Sequence, residues 1–129
     1  MGRPAMRTLK VVVLTVVCLI VASAVQAQTA HVSAAEAKNH VGATVTVCGK
    51  AASTRFVSGS KGQPTFLNLD KPHPKEIFTI VIWGTDRPKF GKPEDTYRNK
   101  DICVTGRITS HKSVPQVIIG APSQIQVQK

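Results

Sequence analysis

Three kinds of side chain in this sequence could do chemistry. The first is thiol: Cys18, Cys48 and Cys103 are the three cysteines. None sits in a CxxC pair, so a catalytic dithiol is not indicated, and three are too few for a four-thiolate zinc site. The second is cation beside flat ring. Arg87, Lys89, Lys92, Arg98 and Lys100 put five cations into 14 residues, with Glu94, Asp95 and Asp101 among or beside them. Phe66, Trp83, Phe90 and Tyr97 are the nearby flat side chains. Cations that contact phosphates and rings that stack on bases are the two ingredients of a single-strand binding surface. The third is imidazole. His31, His40, His73 and His111 are scattered, and only Glu36 and His40 share i, i+4 spacing. Two ligands fall short of the three or four that zinc needs, so no metal site is expected. There is no GxSxG, HExxH or P-loop. Asp70, Asp86 and Asp101 stand alone at turns, where aspartate satisfies backbone groups. No catalytic residue and no cofactor are expected.

Charge and the amino-terminal segment set the context. The 129 residues carry 17 Lys+Arg against 7 Asp+Glu, a formal net charge of +10. Arg3, Arg7 and Lys10 precede an apolar run, Val11 to Ala22, followed by small residues ending Val25-Gln26-Ala27. Basic, apolar and A-x-A-like segments in that order make residues 1–27 a secretory signal peptide. The run is shorter than the roughly 20 residues a membrane-spanning helix needs, so no transmembrane segment is expected after cleavage. Without Arg3, Arg7 and Lys10 the remainder keeps 14 basic against 7 acidic residues, a net of +7. An acidic partner fits that charge: nucleic acid, an envelope polyanion or an anionic surface. The expected location is periplasmic or secreted. In such an oxidising space Cys48 and Cys103 are first read as a disulfide; two buried thiols on neighbouring strands are the alternative.

The elements that must position these residues are mostly strands. Residues 28–32 read as a disordered lead. Ser33-Ala-Ala-Glu36 is a capping-box pattern, predicting a short helix over about 34–40 that Gly42 ends. Five strands follow, at 43–56, 65–70, 78–83, 101–109 and 114–119, each rich in Val, Ile, Thr or Phe and bounded by Gly, Pro or Ser. Gly49 and Gly106 lie inside the first and fourth strands and suggest sharp bends. Two prolines make 71–75 an irregular connection. Residues 85–100 are polar, with room for one or two helical turns. Pro115 implies an edge or a bulge, and 122–127 is a short extension.

Five strands, a connection between the third and fourth, and glycines inside two long strands predict an all-β fold. It is a five-stranded Greek-key barrel, the OB-fold, with a short N-terminal helix and a short helical turn between strands 3 and 4. One such domain is expected over 33–129. In that topology strands one and four are neighbours, which brings Cys48 beside Cys103. Several blocks carry a resemblance: Val47-Cys-Gly-Lys50, Lys61-Gly-Gln-Pro-Thr-Phe-Leu-Asn-Leu-Asp70, Phe78-Thr-Ile-Val-Ile-Trp83, Lys89-Phe-Gly91, Val104-Thr-Gly-Arg-Ile108 and Pro115-Gln-Val-Ile-Ile with Pro122-Ser-Gln-Ile125. Over nearly all of 33–127 the chain resembles a family of small exported bacterial OB-fold domains. The resemblance implies a stand-alone periplasmic or secreted protein, and a fold associated with nucleic-acid binding.

OB-folds bind oligomers across strands two and three and the adjoining loops. On that basis the candidate nucleic-acid-binding residues are Arg55, Lys61, Phe66, Asn68, Lys71, Trp83, Arg87, Lys89, Tyr97 and Lys112. Phe66 and Asn68 share one face of strand two, while Leu67 and Leu69 take the other. Thr79, Val81 and Trp83 share a face of strand three. Each ring also has a plainer role: Trp83 as a plug at a barrel end, Phe66 and Phe78 as core, Phe90 and Tyr97 as anchors of the connection. Single-stranded DNA or RNA, without strong sequence preference, is the expected partner. An envelope protein or glycan is the alternative, as is a stress-tolerance role with no nucleic-acid ligand.

Overall fold

In the computed structural model, which describes residues 29–129, β1 (His31–Ser33) runs parallel to the start of β2 (Thr44–Phe56). The signal peptide expected over 1–27 lies outside the described residues. The disordered lead expected over 28–32 is corrected at His31 and Val32. Val32 is buried, and its three-residue strand is held by the free edge of β2. Ser33 then caps a 3-10 helix, Ala34–His40, its hydroxyl accepting from the Glu36 N–H at 3.2 Å. Ala34 and Ala37 are the buried pair. A spacing of three aligns side chains in a 3-10 turn, which suits two small residues pressed on a sheet.

Five more strands follow: β3 (Thr65–Leu69), β4 (Phe78–Ile82), β5 (Asp101–His111), β6 (Val114–Ile118) and β7 (Ile125–Val127). Between β4 and β5 are two single-turn helices, α1 (Arg87–Phe90) and α2 (Pro93–Thr96). The sheet therefore has seven strands rather than the five expected. β1 and β7 are additions at the free edges of β2 and β5. The other five are hydrogen-bonded in the order β2-β3-β4-β6-β5, and β5 returns to β2. The pairings thus close on themselves.

Two long strands make that closure by serving two partners each. β2 pairs with β5 through Lys50, then with β3 from Ala51 onward. The register slips between Ala51 and Ser53, as a bulge does. β5 pairs with β2 up to Arg107 and with β6 from Ile108. The predicted bend glycines lie beside both changes of partner. A Cβ on Gly106 would sit 2.6 Å from Val117 Cγ2, and one on Gly49 2.7 Å from Asp70 Oδ1. Gly106 therefore needs hydrogen for close approach rather than for an unusual φ, while at Gly49 the near neighbour is the end of the exposed Asp70 side chain.

One apolar core runs from Val32 to Ile125. Phe78, Leu67, Leu69, Ile80, Ile82, Ile102 and Ile108 fill it. Phe90 and Tyr97 pack against it from the β4–β5 connection, and burial raises the Tyr97 phenol pKa above its ordinary value. Cys48 and Cys103 face each other across the β2–β5 ladder, Cα atoms 4.1 Å apart, and are disulfide-bonded. Among the described residues no helix is long and apolar enough to cross a membrane.

Candidate functional site

The register of the sheet places two rows of side chains on the outer face of β2, β3, β4 and β6. One row reads Ser53, Asn68, Thr79, Gln116; the next reads Arg55, Phe66, Val81, Ile118. Alternate residues share a face, so the partners of these rows, such as Leu67, Ile80 and Val117, point into the core. Phe66 is therefore not a core residue. It lies half-buried on the outer face, while Phe78 is fully buried beneath.

The first row is a hydrogen-bonded ladder. Thr79 Oγ1 donates to Asn68 Oδ1 (3.2 Å), and Asn68 Nδ2 donates to Ser53 Oγ (3.1 Å). Ser53 Oγ also accepts the His73 backbone N–H (3.0 Å), which ties the β3–β4 connection to the sheet. Asn68 thus spends half its amide on the scaffold, with one N–H and one lone pair left over.

A groove of about 410 Å3 lies over this ladder. Its floor is Ser53, Asn68, Thr79 and Gln116, and Arg55, Val57 and Phe66 form one wall. The β3–β4 connection contributes His73 and Glu76; the β5–β6 hairpin contributes His111, Lys112 and Val114. His73 Nδ1 lies 3.0 Å from Glu76 Oε1, and Glu76 Oε2 is buried without a partner. Lys112 and Ser113, the two central residues of that hairpin, both have positive φ, 48° and 65°.

The ten candidate residues do not form one cluster. Arg55, Phe66, Asn68 and Lys112 line the groove. Trp83 lies one row beyond Phe66 on the same face, 39% exposed, with its ring against Gly62. Lys61 and Lys71 are exposed on the flanking loops. The basic cluster of the β4–β5 connection is largely neutralised. Arg87 is ion-paired with Glu94 and its guanidinium stands 3.8 Å over the Phe56 ring. Lys89 is paired with Asp86 at 2.9 Å, and Arg98 with Asp95 at 4.0 Å. Arg87 and Tyr97 therefore fasten the connection to the sheet, Lys89 is held within the connection, and all three stand outside the groove. Ser53, His73, Glu76, Thr79, His111, Val114 and Gln116 join the groove without having been named as binding candidates. The bulge that turns Ser53 outward, and the loops that bring in the rest, leave no pattern in residue spacing. Among the described residues no three His, Cys, Asp or Glu side chains gather as a metal cluster would.

No family model matches the chain, and no curated protein matches its sequence. Solved structures do resemble it. A putative aspartyl-tRNA synthetase from Leishmania major Friedlin superposes with a TM-score of 0.50 at 15% identity, over 81% of this chain and 22% of that one. A chain of the S. pombe Stn1-Ten1 complex gives 0.49 at 17% identity, over 67% and 58%. The aspartyl-tRNA synthetase from Entamoeba histolytica gives 0.43 at 15% identity, over 69% and 19%. This chain spans about a fifth of either synthetase and just over half of the Stn1-Ten1 chain. The first of these likenesses, with the closed strand order, makes the fold OB-like.

Proposed function

We propose that this chain is an exported OB-fold module, a five-stranded Greek-key barrel with two added edge strands, that binds single-stranded nucleic acid across the outer face of β3 and β4. The observation that carries the reading is the face itself. Phe66, half-buried, stands between Arg55 and the buried Val81, with exposed Trp83 one row away and exposed Ile118 on β6 beside Val81. Rings and apolar side chains on an exposed strand face offer bases something to stack on. Around that face Arg55, Lys61, Lys71, Lys75 and Lys112 have no carboxylate within ion-pair distance among the described residues. They supply phosphate contacts, which are blind to sequence. The fold adds support, since OB-folds use this face and the flanking loops for oligomers. A solved structure that shares the fold is a putative aspartyl-tRNA synthetase, a protein whose name includes tRNA. Export is supported by the order of residues 1–27 and by the Cys48–Cys103 bond. The proposal assigns the chain no catalytic step.

A second reading is favoured by the groove floor. Ser53, Asn68, Thr79 and Gln116 present hydroxyls and amides rather than charge, which suits an envelope glycan or a protein loop. Titration of residues 28–129 with single-stranded and duplex DNA, followed by Trp83 fluorescence, separates the two. Five phosphate contacts on a single strand imply an affinity loss of roughly 100-fold between about 50 and 200 mM salt. Saturable quenching by single strands with that slope supports the nucleic-acid reading. Absence of binding at the lower salt, checked with labelled DNA, rejects it.

A further inference from the structure

The hairpin between β5 and β6 is built against its own backbone preference. It is a two-residue turn, since His111 pairs with Val114. With both central residues at positive φ it is of the type I′ kind, for which Asn-Gly is the pair without strain. Here the pair is Lys112-Ser113, at φ 48° and 65°. Neither residue enters that region readily. Strained backbone concentrates where a side chain must be aimed, and Lys112 borders the groove.

The groove has a direction. Most of the residues that border it from loops come from the β3–β4 connection and the β5–β6 hairpin, and both sit at the Asn68 end of the face. From the Trp83 end only Val57, just past β2, borders it. A strand lying over Trp83 and Phe66 would therefore run toward the two loops that crowd the Asn68 end. The volume, about 410 Å3, lies low in the usual range of about 300–1,000 Å3 for small-ligand sites. That is room for one residue of an oligomer rather than for a passing strand.

The charge that a ligand would meet there is positive. Arg55 and Lys112 both border the groove, and neither is ion-paired. His73 and His111 are the two imidazoles. The one carboxylate, Glu76, gives Oε1 to His73 and has Oε2 shut away from solvent.

Resting on the nucleic-acid reading, we propose that the groove captures the end of a single strand: a terminal nucleotide whose phosphate monoester is held between Arg55 and Lys112, with Lys112 aimed by the strained turn. The chemistry recognised is a terminal phosphate, from either the 5′ or the 3′ end of the strand. A monoester carries more charge than an internal diester and offers more acceptor oxygens, which suits two cationic donors.

The test uses labelled oligothymidylates with a 5′-phosphate, a 3′-phosphate or two hydroxyl ends, titrated at one fixed salt concentration by fluorescence anisotropy. Capture predicts that one phosphorylated form binds about 10-fold tighter than the hydroxyl form, the scale of one charge-assisted hydrogen bond, and the form that gains identifies the strand polarity. Lys112→Asn/Ser113→Gly removes the ammonium and relaxes the turn. It should bring the end preference close to unity while raising Tm by a few degrees, so binding and stability move in opposite directions. Equal affinity of all three oligomers overturns end capture and leaves the wider nucleic-acid reading standing. No binding by any of them overturns both. A double variant that keeps the end preference removes Lys112 from the site, and a lower Tm overturns the strain argument.

Discussion

Breaking the Cys48–Cys103 bond tests the closure of the fold and the compartment together. The two residues are 55 apart in sequence, so the bond ties a long loop in the unfolded chain. The chain-entropy relation gives about 4 kcal/mol for a loop of that length. Little is lost from the folded side. The cysteines lie on the outer side of a ladder that runs from Thr44↔Arg107 to Lys50↔Asp101, and that ladder survives without the bond. A domain of this size is stable by about 5–15 kcal/mol, so the loss is a large share of the total. With a urea m value of about 2 kcal/mol/M, the midpoint of a Cys48→Ala/Cys103→Ala variant should fall by about 2 M. The assay is urea unfolding of residues 28–129 by circular dichroism, oxidised protein against the double variant. The oxidised protein under strong reductant should match the variant. A shift below about 0.5 M would refute the reasoning, because the bond would then add little to a chain already held by its sheet.

Phe66→Ala should weaken single-strand binding by about 1–3 kcal/mol, the usual worth of a stacked base, with little change in Tm; Phe78→Ala, fully buried, should cost about 3–5 kcal/mol of stability, and the pair is separated by titration and thermal melts. Gly106→Ala drives a methyl to 2.6 Å from the buried Val117 Cγ2, so urea unfolding should show a loss of about 1–3 kcal/mol; an unchanged midpoint would mean that the two strands can part there. Arg87→Ala leaves Glu94 half-buried without its cation and bares the Phe56 ring; its melting temperature should drop while its affinity for single strands stays within about twofold, the reverse of what a phosphate contact would show. Burial raises the Tyr97 pKa above the ordinary 10.0, so the folded state holds its phenol proton more tightly than the unfolded one. That contribution is complete below the ordinary value and is lost as pH climbs through it, so urea midpoints should fall above about pH 10 and fall less steeply in Tyr97→Phe.

How far the molecule could be read from residues alone differs from element to element. β4 was plain: Phe-Thr-Ile-Val-Ile between polar segments is a strand wherever it lies. The long strands were legible because their Val and Thr content continues through Gly49 and Gly106, and the glycines then marked the bends. β1 was not legible. His-Val-Ser has one apolar residue, and only the free edge of β2 makes it a strand. For the site, period-two alternation correctly separated Phe66 and Asn68 from Leu67 and Leu69. The cations were harder to place, because proximity in sequence is a poor guide to availability. Arg87, Lys89 and Arg98 are the densest basic run, and all three are engaged by carboxylates of the same segment. Lys112 stands alone in sequence and borders the groove.

The bulge in β2 explains why the grooved face exists at all. Before it, odd-numbered residues point inward: Val45, Val47 and Ala51 are core, while Thr46 and Cys48 face outward with Thr105 and Cys103. After it, odd-numbered residues point outward: Ser53 pairs with Asn68 and Arg55 with Phe66, while Thr54 lies opposite the buried Leu67. One extra residue reverses every later side chain on a strand. Without the slip at Ala51/Ser53, Arg55 would be driven toward the core and Ser53 could not receive both the Asn68 amide and the His73 N–H. The second of those bonds pins the β3–β4 connection over the sheet, and that connection supplies one end of the groove. The same irregularity that lets β2 change partners and close the sheet therefore also turns its polar half toward solvent. Fold closure and groove formation are two consequences of one inserted residue.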